Sequence, residues 1–287
     1  MCLRLDEPRE SSRVTNHFAR IAGHATLLMA AAVSLGPLLL VVLNAFKPHA
    51  AIVQDPLSLP TALALNNFRA AWSGGGFSVG LINSVLLTGT TVLVTVGLAA
   101  PAAFSLARRR TAYWKLISIY FLCSVTVPIQ LFLFPLYFVY ARLGLVGNVF
   151  ATACIIAAIN LPLSILLLRT YVVAIPIELD HSALMDGASP WQIFRYVIAP
   201  LMRPGMVTVA VIVALNAWNE FLITSTFQQG SSGFTMTLGY RAMTSVMAAD
   251  RGIMMAGACI IVVPIVVFFL LLQRLFLEGM TAGAVKG

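Results

Sequence analysis

The chain has 287 residues, 60% of them hydrophobic and 10% charged, with a formal net charge of +8. An ordinary soluble domain carries about 25% charged residues, so the composition excludes a water-soluble globule. It points to helices in lipid, where each backbone polar group must be paired within its own segment. The 18 Lys and Arg lie at the ends of apolar runs rather than in one patch, which reads as membrane topology and argues against a nucleic-acid surface.

Residues 1–20 form a charged arm. The apolar run that follows, about Ile21–Phe46, is too long for the core of a signal peptide. It ends at Phe46-Lys47-Pro48 without a small-residue cleavage pattern, so it reads as a first span. Further runs long enough to cross a bilayer, about 20 helical residues each, cover about Gly80–Ala107, Leu116–Tyr140, Val149–Leu168, Met206–Phe227 and Ile253–Leu277. The expected fold is therefore all-α, polytopic, with six transmembrane helices occupying residues 21–277. With the N-terminus inside, cytoplasmic segments hold thirteen Lys or Arg and outer segments five, so both termini are expected in the cytoplasm.

Between spans one and two, about Lys47–Val79, three prolines and Gly74-Gly75-Gly76 predict an extended, turn-rich outer loop. Arg108-Arg109-Arg110 reads as a topological anchor. In span three, Pro128 and Pro135 predict a distorted helix. Its aromatics, Phe132, Phe134, Tyr137, Phe138 and Tyr140, can stack on the flat face of a ligand, although packing or lipid contact is the simpler role. A second outer loop covers about Gln228–Gly252.

The inner segment of about residues 170–204 reads as two short helices. Pro176 opens the first, Glu178 and Asp180 sit in its first turn, and Gly187 terminates it. Ser189-Pro190 is an N-cap followed by proline at the first helical position. Trp191, Phe194, Val197 and Ile198 share one face of the second helix, an apolar face expected to need a partner.

Glu220 is the acid most unusual for its place. A carboxylate within span five costs about 2.5–3.5 kcal/mol or more at the bilayer centre, so it faces the bundle interior or a wet cavity. With Asn216 and Asn219 beside it, it can line a solute pathway or hold helices together, and both roles stay open; Gln130 of span three joins them as a candidate pathway residue. Cys123, Cys154 and Cys259 lie in apolar runs without metal-type spacing, and His17, His24 and His49 are far apart, so no metal site is expected.

At the inner loop the sequence resembles a known family. His181-Ser182-Ala183, Asp186-Gly187 and, after nine residues, Val197, Ala199 and Pro200 look like the EAA loop of binding-protein-dependent ABC importers: EAA, three residues, G, nine residues, I-x-L-P. The Gly and final Pro are in register, whereas His181 replaces Glu, Ser182 Ala, Val197 Ile and Ala199 Leu. Asn83-Ser84, Pro128, Gln130, Pro135, Trp218-Asn219-Glu220-Phe221 and the ending Gly279 to Gly287 extend the likeness to carbohydrate-importer permeases of the MalG type.

The resemblance implies a non-enzymatic permease subunit in the inner membrane that imports a sugar. It would act with a second, homologous permease, two copies of an ATPase subunit and an extracytoplasmic solute-binding protein. It implies that residues His181, Ser182, Ala183, Asp186, Gly187, Pro190, Trp191, Phe194 and Pro200 couple to the ATPase. The tail, residues 278–287 with Gly279, Thr281, Gly283, Lys286 and Gly287, would insert as an extended strand at the ATPase interface. ATP and Mg would be bound by the partner ATPase, since the three lysines follow Phe46, Trp114 and Val285, leaving no Gly-Lys of a phosphate-cradling loop. An ion-coupled secondary transporter would show internal repeats and several intramembrane charges. An intramembrane enzyme would show a nucleophile motif; neither signal is found.

Overall fold

A computed structural model describes the backbone of residues 10–108, 112–230 and 233–284. All regular structure among them is helical. Four helices are long and apolar enough to span a bilayer, α1 (Glu10–Ala45, apolar from Gly23), α4 (Phe77–Ala107), α7 (Val149–Ala174) and α13 (Arg251–Ala284). Six crossings result if two bent pairs each count as one. The first pair is α5 (Trp114–Val125) with α6 (Gln130–Arg142), bent by 96°. The second is α9 (Pro190–Leu201) with α10 (Arg203–Trp218), bent by 75°. After a break, α11 (Leu222–Phe227) follows α10. Short helices α2 (His49–Gln54), α3 (Asn66–Gly74), α8 (Glu178–Met185) and α12 (Met236–Val246) lie outside these spans.

Spans three and five are therefore not straight. In span three the break at residues 126–129 contains Pro128, which lacks a backbone donor, whereas Pro135 sits within α6 without breaking it. In span five the helix stops at Asn219 and restarts at Leu222.

The bundle is centred on α7, which packs along α4. Small side chains make close approach possible: Ala99, Ala100 and Ala103 of α4 and Ala153 and Ala157 of α7 are all buried. The Thr91 hydroxyl, which donates to Leu87 O at 2.7 Å, also reaches Ala153 O across the interface at 3.3 Å. Helix α10 packs on α4, α7 and α13, and its Gly205 fits under the Tyr171 ring, where a Cβ would come within 2.5 Å.

The first outer loop is more structured than its prolines and glycines suggest, since α2 and α3 occupy much of it. Lys47, 1% exposed, explains part of this order. Its ammonium donates to Asp55 O and Pro56 O, both at 3.3 Å, and to Ser58 Oγ at 3.2 Å. The Asn67 amide donates to Ala45 O and Lys47 O, both at 2.9 Å, tying α3 to the end of α1. At the other terminus α13 continues as helix to Ala284. Gly279, Thr281 and Gly283 are thus helical rather than extended, because isolated glycines cost a helix only about 1 kcal/mol each and no proline follows Pro264 in this helix. Lys286 and Gly287 lie outside the described residues.

Candidate functional site

Helices α7 and α10 and the break in span five form an open cleft of about 350 Å³, lined by Ile156, Ile159, Asn160, Leu215, Asn216, Asn219, Glu220 and Ile223. This falls in the range of about 300–1,000 Å³ usual for small-molecule sites. After α10 ends, Glu220 Oε1 accepts the Ile223 N–H at 2.7 Å and so caps α11. The Glu220 carbonyl accepts the Thr224 hydroxyl at 2.8 Å. A carboxylate tied to the backbone in this way keeps a fixed position while still facing the cavity.

The asparagines are ordered too. Asn219 Nδ2 donates to Leu215 O at 2.9 Å, and Asn216 Nδ2 donates to Asn160 Oδ1 at 3.0 Å, bridging α10 to α7. Asn160 was not singled out from the sequence. The available signal was a lone carboxamide in the middle of an apolar span, two residues before Pro162. Asn160 Nδ2 donates to Ile156 O at 2.9 Å, and the Asn160 main-chain carbonyl accepts from Ser164 Oγ at 2.7 Å.

Asn160 and Ile159 also line an adjoining cavity of about 750 Å³ on the concave side of the α5–α6 bend, together with Phe132, Tyr140, Cys123 and Cys154. Gln130 is absent from the lining of both cavities. It stands exposed at the start of α6, where the bend at residues 126–129 places Ile129 and the exposed Phe132 at the cavity lining instead. Among the other aromatics, Tyr137 and Tyr140 pack on Phe227 with ring centroids 5.9 and 5.1 Å apart. Phe138 lies under the Arg142 guanidinium at 4.3 Å, and Phe134 is exposed.

At the inner loop, the end of α8 is a Schellman turn: the Gly187 N–H donates to Leu184 O and the Ala188 N–H to Ala183 O, each at 3.0 Å, with Gly187 at φ +80°. Ser189 and Gln192 then form a reciprocal capping box and Pro190 opens α9. Residues Ile193–Ile198 form a π turn, which shifts the buried face relative to a regular helix. Ile193, Phe194 and Ile198 are buried and pack, with Val197, against α4 and α7 of the same chain, whereas Trp191 is 59% exposed. Most of the apolar face read from the sequence is therefore consumed internally. What remains outside is Trp191 with the exposed Leu184, Met185 and Tyr196. His181, Ser182, Asp186 and Pro200 are exposed, and Ala183 is half-buried against the core.

The loop is clamped to the bundle by an ion pair. Arg108 Nε, at the end of α4, lies 3.2 Å from Asp180 Oδ2 in α8, with side chains 7% and 4% exposed. Arg108 Nη2 also donates to Ile175 O at 3.1 Å. Arg108, read from the sequence as part of a topological anchor, also clamps the loop to the bundle, a role that depends on the buried carboxylate of Asp180. Among the described residues no group of three or more His, Cys, Asp or Glu could hold a metal ion.

Long apolar helices and two bent apolar pairs, with no strand among the described residues, define an all-helical polytopic membrane protein. Residues 95–281 match the family described as binding-protein-dependent transport system inner membrane component, and the chain belongs to that family. It is 33% identical to the trehalose transport system permease protein SugB of Mycobacterium tuberculosis, over 88% of this chain and 92% of that one. It is 29% identical to the diacetylchitobiose uptake system permease protein DasC of Streptomyces coelicolor, over 85% and 89%. The fold matches a chain of a bacterial ABC transporter that imports the acidic polysaccharide alginate, with TM-score 0.74 and 19% identity, covering 94% of this chain and 99% of the other.

Proposed function

We propose that this chain is one of two non-identical permease subunits of an ATP-driven importer, that its cargo is a sugar of di- or oligosaccharide size, and that both termini face the cytoplasm. The observation that carries the reading is the cavity at the break of span five, where Glu220, Asn160, Asn216 and Asn219 converge within an apolar bundle. Carboxamides and a carboxylate offer the donors and acceptors that sugar hydroxyls need, while the apolar walls can meet ring faces. Curated relatives named for trehalose and diacetylchitobiose uptake support the sugar assignment.

The chain performs no bond chemistry. A separate ATPase dimer binds ATP and Mg and engages the inner loop through Trp191, Met185 and the exposed parts of α8. An extracytoplasmic binding protein delivers the cargo. ATP binding in the partner biases a two-state bundle through the Arg108–Asp180 clamp, which joins the loop to α4. Uptake by the assembled complex tests the pathway assignment. Asn160→Ala, which removes one or two hydrogen bonds of about 0.5–1.5 kcal/mol each, and Glu220→Gln, which replaces a charged acceptor by a neutral one, should change the half-saturating concentration or maximal rate of sugar uptake by about tenfold. Unaltered transport by both assembled variants would remove the cavity from the pathway.

A further inference from the structure

The cavity lining carries one carboxylate, Glu220, and three carboxamides, Asn160, Asn216 and Asn219, with no Lys, Arg or His. The adjoining larger cavity also contains no basic residue among its lining. Carboxamides present both donors and acceptors and are indifferent to the sign of a cargo. A carboxylate is not: in a cleft with apolar walls its field is focused rather than screened, and it acts over several ångströms. Glu220 is held in place by the Ile223 N–H, so it cannot easily turn away from an approaching anion. Hydroxyl groups would find acceptors and donors here, whereas a carboxylate or sulfate on the cargo would meet a like charge with no cation among the lining residues of this chain.

We infer that this cavity discriminates by charge, admitting neutral or cationic polyhydroxylated solutes and rejecting anionic ones such as uronic-acid sugars. The inference rests on the cavity lying in the solute pathway. The shared fold with an importer of an acidic polysaccharide does not bear on it, because the residues at this lining, not the backbone trace, set the sign.

The test uses the complete complex in lipid nanodiscs and reagents whose charge is known, so the natural cargo need not be identified. Cys2, Cys123, Cys154 and Cys259 are replaced by Ser or Ala, and a reporter thiol is introduced as Ile159→Cys, at a residue lining both cavities. Rates of modification by the cationic trimethylammonium-ethyl and the anionic sulfonato-ethyl methanethiosulfonates are measured and normalised to those of a free thiol in solution. The expected normalised ratio favours the cation by about tenfold, one unit charge acting across a partly wet cleft, and Glu220→Gln brings it close to one. Should Glu220→Gln fail to assemble, Asn219→Asp, which adds a charge to the same lining, should raise the ratio further. A ratio near or below one with Glu220 intact, both reagents reacting, overturns the charge selection and leaves the pathway reading standing. No reaction with either reagent, with or without nucleotide, overturns the pathway reading itself and the inference with it.

Discussion

Removing the buried carboxylate of the loop clamp should loosen α8 from the bundle. With side chains only 7% and 4% exposed, Arg108 and Asp180 are a buried pair rather than a surface one. Deleting one member of such a pair costs about 3–5 kcal/mol, because the remaining charge is left without its partner. Arg108 keeps the Ile175 carbonyl at 3.1 Å, so the lower end, about 3 kcal/mol, is expected for Asp180→Ala. At about 1.4 kcal/mol per factor of ten, local opening becomes roughly a hundredfold more frequent. Hydrogen exchange of purified protein in nanodiscs reads this directly through the amides of His181, Asp186, Gly187 and Ala188, all hydrogen-bonded within the loop. The double substitution Arg108→Met with Asp180→Leu should restore much of the protection, since two apolar side chains leave no buried charge. Unchanged exchange in Asp180→Ala, or a double variant no better protected than the single one, would refute the clamp.

Gly187→Ala should cost about 1–2 kcal/mol in the same exchange experiment, all of it from the left-handed backbone, because an added Cβ meets nothing within 4 Å; a cost several times larger would show that the surroundings are tighter than that. Ile193→Ala, at a fully buried position, should destabilise by about 2–5 kcal/mol. Trp191→Ala, exposed, should stay within about 0.5 kcal/mol in thermal stability yet lower ATPase capture severalfold in a pull-down. The reverse ranking would mean that the π turn does not set the buried face. Reporter fusions at Pro60 and Gly233 should read outside and at Pro190 inside; a cytoplasmic signal at Pro60 would overturn the topology.

The spans and the loop were legible in the sequence because apolar length and capping chemistry are local signals. Ser189-Pro190, Gly187 and the 21–46, 80–107 and 149–168 runs lie in helices or turns of the expected kind, although α1 already begins at Glu10, inside the stretch read as a charged arm, and α7 runs on to Ala174. Properties that depend on two elements meeting were not legible. Asn160 acquires meaning only opposite Asn216, and Arg108 only beside Asp180. The π turn rotated Ile193 into the core in place of Trp191, a shift that a regular helical period does not anticipate. Glu220 was recognised as anomalous from its apolar surroundings, but its capping of α11 required knowing where the helix breaks.

The measurement closest to the central claim is disulfide or short-linker crosslinking between a cysteine on the exposed loop surface, Met185→Cys, and the ATPase subunit of the assembled importer. Crosslinking should be efficient, should vary between nucleotide-free and ATP-bound complexes, and should be absent from Leu59→Cys on the first outer loop. Capture of the ATPase by the outer-loop cysteine, or none by Met185→Cys in a complex that still transports, would contradict the account.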